Sequence, residues 1–309
     1  MRILVKRHKN QFLCLFILLG LISIIYCIRY INIQHTVNAM NYNELISDNV
    51  NDISIYTNIL PNILLPDTSM SNKQIIDSCF EYDISTAEKG YIVLKPLIDN
   101  TACIIRTNTS KYTYLKLPQE KIVLPLGMYN ESYEFSLAIP YGDTNLYTFV
   151  ICNQDIKLNL YERNKIFLMP NYIVKFSNDA NYKNIAIKLK SYNDIKTMIN
   201  IKNWVYENIT YDKQKANKIK EEGDASGFND YIPNLEKVYI EKKGICFDKA
   251  ALATALLRLD GIPAKLVVGY YKNEYHAWVM TELYNKSIII DPTSNFMGNS
   301  DDYKIDMIF

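Results

Sequence analysis

The stretch GICFDKAALATALLRLDGIPAKLVVGY, residues 244–270, contains the clearest helix of the chain. Cys246–Leu259 is rich in Ala and Leu, which lose little on entering a helix, and Asp260-Gly261-Ile262-Pro263 ends it. Strand-like runs follow at Lys265–Tyr271, Tyr275–Leu283 and Ser287–Ile290. The second run holds Tyr275-His276-Ala277-Trp278, and the third runs into Asp291-Pro292.

This order has chemical content. Cys246 falls in the first turn of the helix, where unpaired N–H groups and the positive end of the dipole favour a thiolate. The same N–H groups can stabilise an oxyanion during acyl transfer. A hairpin folded beside Tyr284-Asn285-Lys286 brings His276 and Asp291 close to opposite each other. Nucleophile, general base or acid, and orienting carboxylate are then present together. Each signal alone is weak. A Cys on an Ala-rich helix is more often a small core residue, a His between aromatics is often a hydrogen-bonded core residue, and Asp-Pro is often only a turn. Their joint order and spacing favour the chemical reading. His276 is the only histidine beyond residue 35, so imidazole chemistry there must use it.

Working outward, Ser191-Tyr192-Asn193-Asp194 predicts a capping box. Met198, Ile201, Val205 and Ile209 then follow at helical spacing, with Trp204 read as core. Lys213–Asp230 is charged and predicts an exposed loop or short helix. Upstream, Tyr91–Lys95, Ala102–Arg106, Tyr112–Leu117, Ile122–Leu126, Tyr133–Ile139 and Leu146–Cys152 are short runs broken by turn residues. They predict a β-rich, sandwich-like domain over residues 81–190, closed by an alternating run at Ile185–Leu189. Residues 31–80 read as a polar tether or lead-in, and the change of period near residue 190 marks the start of a C-terminal domain, 191–309.

At the N-terminus Arg2, Lys6, Arg7 and Lys9 precede an uncharged run, Phe12–Ile28. At about 1.5 Å per residue this run lies at the short end of what spans a bilayer. A retained signal-anchor in residues 1–30 is expected, with the body outside the cytoplasm. Secretion after cleavage at Ala39 is the alternative. The widely spaced Cys79, Cys103, Cys152 and Cys246 exclude a zinc module or disulfide scaffold, although a Cys79–Cys103 bridge stays open. A formal charge of +1, with no basic concentration, argues against nucleic acid as a partner.

The quoted stretch, with YHAWV (275–279) and IIIDPT (288–293), resembles the transglutaminase-like core of animal transglutaminases, peptide N-glycanases and many bacterial proteins. Its G-x-C, G-I-P-A, H-A-W and D-P-T elements match in order over residues 193–309. Glu81-Tyr82-Asp83, Gly90-Tyr91-Ile92, Leu124-Pro125-Leu126, Phe167–Asn171 and Trp204–Asp212 resemble the membrane-anchored clostridial members. The resemblance implies a papain-like α+β core that transfers acyl groups from amides. Cys246 would be the nucleophile, His276 the base and Asp291 the orienter. The family's oxyanion-stabilising Trp corresponds to Tyr211 here, a departure from the pattern. No acidic Ca²⁺ loop is evident to carry over, and no cofactor or metal is expected. The expected partner is a protein or peptide substrate, with cell-wall peptide a candidate, and the membrane is engaged through residues 12–28. A non-catalytic surface adhesion or scaffold module that keeps the fold is the competing reading.

Overall fold

The structure, a computed structural model, describes residues 60–107, 111–126, 132–142, 146–157, 165–222, 231–283 and 286–309. The expected anchor at Phe12–Ile28, Ala39 and most of the lead-in lie outside the described residues. Among the described residues no helix is long and apolar enough to cross a membrane. The described residues make one compact unit.

The upstream half is two antiparallel four-stranded sheets. One pairs β1 (Gln74–Ile76), β2 (Phe80–Asp83), β3 (Tyr91–Pro96) and β6 (Ile122–Pro125) in that order. The other has the order β5-β4-β7-β8, with β4 at Thr101–Arg106, β5 at Lys111–Leu117, β7 at Ser132–Pro140 and β8 at Tyr147–Lys157. Six of the expected runs, from Tyr91–Lys95 to Leu146–Cys152, are strands, and β1 and β2 are added to them. Alternation places Tyr133, Phe135 and Leu137 of β7 inward, and the Phe135 ring lies 5.8 Å from Tyr82 of the facing sheet. Cys79, Cys103, Cys152 and Cys246 are free thiols, so no Cys79–Cys103 bridge forms. Cys103 is fully buried, and burial raises its thiol far above the ordinary range.

Two local expectations are corrected. Ile185–Leu189 is not a strand but part of a helix, α1 (Lys183–Leu189). Five alternating residues also satisfy a helical face, and the wholly buried Ala186 sets that face against the core. The next helix, α2 (Asp194–Asn208), is not capped by Ser191. Asn193 is the cap, its side chain accepting the N–H groups of Ile195 (2.8 Å) and Lys196 (3.4 Å). The apolar period in α2 is as expected, with Met198, Ile201 and Val205 buried. The charged stretch forms α3 (Lys213–Glu222), and α4 (Leu235–Glu241) follows.

The helix α5 (Cys246–Leu259) is buried along its whole length. A helix apolar on every side must be covered on every side. Strands β11 (Ala264–Tyr271) and β12 (Glu274–Leu283) cover one flank, and α1, α2 and α4 cover others. With β13 (Lys286–Asp291), β14 (Phe296–Gly298) and β15 (Tyr303–Ile308), these strands form an antiparallel sheet of order β14-β13-β12-β11-β15. Ala277 and Val279 of β12 face α5, whereas Trp278 joins Tyr91, Val93, Phe167 and Ile289 in a second cluster on the far side. A chain of rings from Phe247 through Phe309 to Tyr114, each contact 6.3 Å, ties α5 to the sandwich.

Arg258 anchors the other end of α5. It is almost wholly buried and donates to the carbonyls of Ala264 (2.9 Å), Met169 (2.8 Å) and Phe309 (2.9 Å). Burial holds its guanidinium down to about 9. Arg258→Met would keep the stem but remove a donor from Ala264, Met169 and Phe309, the last of which keeps the Leu266 N–H, a loss of about 3–5 kcal/mol. Urea denaturation of both proteins measures it, and a difference under about 1 kcal/mol would contradict this account.

Candidate active site

A buried turn sets the start of α5. The side chain of Asp248, with no exposed surface, folds back so that its Oδ2 accepts the N–H of Ile245 at 2.9 Å. Only glycine fits at 244, because a Cβ there would lie 2.7 Å from the Cβ of Asp248. This gives the G-x-C spacing a steric reason: the glycine makes room for the residue that caps the helix carrying the cysteine. The first helical bond runs from Lys249 N–H to Ile245 C=O, so the first-turn N–H groups are not consumed by the helix.

His276 enters from β12 and Asp291 from the end of β13. The two are close to opposite, as expected, but not a direct pair. The innermost pair of the hairpin is Leu283↔Lys286, and the same register runs to Val279↔Ile290. Asp291 therefore faces Trp278, and His276 is its diagonal neighbour two residues away on the same face. The diagonal suffices: His276 Nε2 donates to Asp291 Oδ2 at 2.8 Å. Nδ1 is then the nitrogen left for the thiol of Cys246, which lies within hydrogen-bonding reach of the ring.

Asp291 has no exposed surface and every donor it needs. Its Oδ1 accepts the N–H groups of Thr293 (2.8 Å) and Ser294 (3.2 Å). Its Oδ2 accepts, besides His276, the hydroxyls of Ser294 (2.7 Å) and Tyr303 (2.9 Å). Burial alone would raise this carboxyl. The bonds from His276, Ser294 and Thr293 outweigh burial and hold it below the usual carboxylate range. Burial would likewise lower His276, but the bonds to Asp291 and Cys246 outweigh it and raise the imidazole well above its ordinary value. The ring stacks 6.3 Å from Trp278 and lies 6.0 Å from Tyr271.

Tyr211 reaches the same place from another direction. The short parallel pair β9 (Thr210–Tyr211) and β10 (Lys243–Gly244) sets Tyr211 beside Gly244, two residues before the cysteine. Its hydroxyl comes within hydrogen-bonding reach of Cys246, and burial together with that neighbour pushes the phenol up to about 12. Its side is open, however, with 39% of the residue exposed. Tyr211 is thus beside the thiol and partly open to solvent. The four residues expected from sequence, Cys246, His276, Asp291 and Tyr211, are all brought together.

Sequence reasoning missed Ser294, Tyr303, Lys249 and the partners of Asp248. Asp291-Pro292-Thr293-Ser294 carried a signal for the first, since an Asp accepts from amides two and three residues on. An acidic residue at the third helical position signalled the role of Asp248. Nothing local marked Tyr303, which is brought in by β15. Lys249 is buried one turn into α5, its ammonium 5.5 Å above the Tyr206 ring, and burial lowers it while Asp291 raises it. Among the described residues no group of His, Cys, Asp and Glu could hold a metal ion.

Residues 180–308 match the family DUF553, described as a transglutaminase-like domain. The UPF0252 protein MJ1282 of Methanocaldococcus jannaschii is 34% identical over 160 residues, 46% of this chain and 43% of that protein. The chain thus spans less than half the length of this relative. Two solved structures are similar at low identity. One is a candidate cysteine protease of Cytophaga hutchinsonii, 17% identical with a TM-score of 0.36, covering 67% of this chain and 75% of that one. The other is the periplasmic domain of TgpA from Pseudomonas aeruginosa, 15% identical with a TM-score of 0.31, covering 66% and 71%.

The His276–Asp291 pair fixes a pH response. A raised imidazole contributes stability that is complete below its unfolded value of about 6.5 and is lost as pH rises through the folded value. A depressed carboxyl contributes stability present above about 3.9 and lost as pH falls through its folded value. The pair therefore stabilises fully between about pH 4 and 6.5. Followed by the NMR signal of its ring, His276 should stay protonated well above pH 7, and Asp291→Asn should lower its midpoint by at least about one unit. An unchanged midpoint would remove Asp291 as the cause.

Proposed function

We propose that the protein is a thiol acyl-transfer enzyme acting on peptide or glutamine amides, a reading that the match of residues 180–308 to a transglutaminase-like domain supports. The observation that carries this reading is the meeting of Cys246, at the start of α5, with an imidazole held by the wholly buried Asp291. His276 beside the thiol is placed to take its proton and form a thiolate–imidazolium pair.

The thiolate attacks the amide carbonyl and forms a C–S bond. The oxyanion is stabilised by the Cys246 N–H and the Tyr211 O–H. The imidazolium gives its proton to the nitrogen, the C–N bond breaks, and the amine leaves. The thioester remains on Cys246, and His276 is now neutral. It takes a proton from water or from an incoming amine, which attacks the thioester. The second tetrahedral intermediate expels the thiolate and restores the pair. Water gives hydrolysis, as in an amidase or peptidase, and an amine gives cross-linking.

The body is proposed to work outside the cytoplasm, held by residues 12–28, with Arg2, Lys6, Arg7 and Lys9 on the inner side. Cell-wall peptide is then a candidate substrate. Protease shaving of intact cells should remove the folded body, and a protected body would refute this topology.

Trapping an acyl group on Cys246 by mass from a cell-wall and surface-protein extract tests the chemistry. His276→Ala should lower turnover of a trapped substrate by roughly 10²–10⁴, and survival within about tenfold would refute the mechanism. Tyr211→Phe keeps the ring and removes the hydroxyl. It should lower kcat by roughly 10²–10³ with little change in Tm. An unchanged kcat in a folded variant would assign the oxyanion elsewhere.

A further inference from the structure

A second buried carboxylate stands two residues from the nucleophile. Asp248 has no exposed surface, and besides the Ile245 N–H it accepts Lys215 Nζ at 2.7 Å and the Tyr231 hydroxyl at 2.5 Å. Lys215 and Tyr231 are bonded to each other, and the ammonium lies 4.4 Å from the centroid of the Tyr231 ring. Lys215 comes from α3, whose start is tied to the same place. Asp212 accepts the Lys215 N–H at 3.0 Å, donates its own N–H to Gly244 C=O at 3.0 Å, and pairs with Lys243 at 3.2 Å. The loop from Tyr211 through Lys215 thus closes on the helix start through the Lys215–Asp248 and Lys243–Asp212 ion pairs and the Asp212–Gly244 backbone bond.

Such a carboxylate should oppose ionisation of a neighbouring thiol, because like charges close together disfavour the second charge. Its charge reaches the site, since Asp248 is among the groups that raise the Tyr211 phenol. Lys215 is the cation placed to cancel it. From these contacts we propose that the Lys215–Tyr231–Asp248 network is a positioning device for the nucleophile, which caps the helix with a carboxylate while hiding its charge from Cys246.

The other charged or titratable groups around the thiol divide between the signs. His276 and Glu274 come from β12, Asp291 from β13, Tyr211 from β9, Asp212 from the residue that follows, and Lys243 from β10. Lys249 lies on α5 itself. His276 and Asp291 already form a matched pair, as do Lys243 and Asp212. Without Lys215, Asp248 would keep the Ile245 N–H and the Tyr231 hydroxyl but have no cation to balance it.

The inference rests on reading Cys246 as the nucleophile, and the test separates the two. The full chain is alkylated with iodoacetamide across pH, and the rate is read at the peptide carrying Cys246 by mass spectrometry. Lys215→Met exposes the thiol to the anion and should move the alkylation midpoint up by about one pH unit, roughly tenfold in rate below the midpoint. Lys215→Arg, which keeps the charge, should restore it. Asp248→Asn leaves Lys215 uncompensated and should move the midpoint down. A merely structural role would lower Tm in both variants without opposed shifts. With Cys246 reactive in the unaltered protein, an unmoved midpoint in Lys215→Met overturns the proposal, as do shifts of the same sign in Lys215→Met and Asp248→Asn. Should Asp248→Asn not fold, Lys215→Met and its Arg counterpart decide alone. If Cys246 of the unaltered protein reacts no faster than Cys79, the nucleophile reading fails instead.

Discussion

A carboxylate without exposed surface is costly unless its lone pairs are filled, and satisfying Asp291 organises the C-terminal sheet. The turn after β13 supplies two amides and the Ser294 hydroxyl, β12 supplies His276, and β15 supplies Tyr303. For Tyr303 to arrive, β15 must press against β11, and Gly269 permits this. A Cβ at Gly269 would lie 2.1 Å from the carbonyl oxygen of Lys304. The ring's position, and with it the partner of the thiol, follows from filling the bonds of one charge.

The thiol end repeats the same logic with different parts. There the buried anion is Asp248, the tight approach is at Gly244, and the cation is Lys215 instead of an imidazole. Two carboxylates bracket the Cys246–His276 pair, each balanced by its own cation. The site can therefore be dry enough to strengthen its hydrogen bonds without presenting net negative charge to a thiolate. Tyr211, between the two systems and open to solvent, is the member free to meet a substrate.

Much of this was legible in the sequence, for identifiable reasons. α5 and the strands after it were readable because a long Ala/Leu run and tight turns leave few alternatives, and the sandwich strands because turn residues separate them. Ile185–Leu189 misled because five residues fit both periods. The cap at Asn193 was misplaced because Ser191 offered the same pattern two residues earlier. The hairpin centre was off by one residue, which moves the register by two and turns a direct pair into a diagonal one. Tyr303, Lys215 and Tyr231 lie 12–33 residues from the carboxylates they serve, and no local spacing announces them.

The diagonal between His276 and Asp291 bears on how the chain reaches its working form. In a sheet, a slip of one residue between β12 and β13 would send the two side chains to opposite faces. A slip of two residues would make the pair directly opposed, but it would carry Asp291 and its own turn away from Tyr303. A hairpin slipped by two keeps Val279 and Ile290 on one face and could persist as a compact by-product of folding. Acyl transfer would then report strand register as well as chemistry: a preparation could melt cooperatively, pass as homogeneous by size, and still contain a dead fraction set at the moment the hairpin closed.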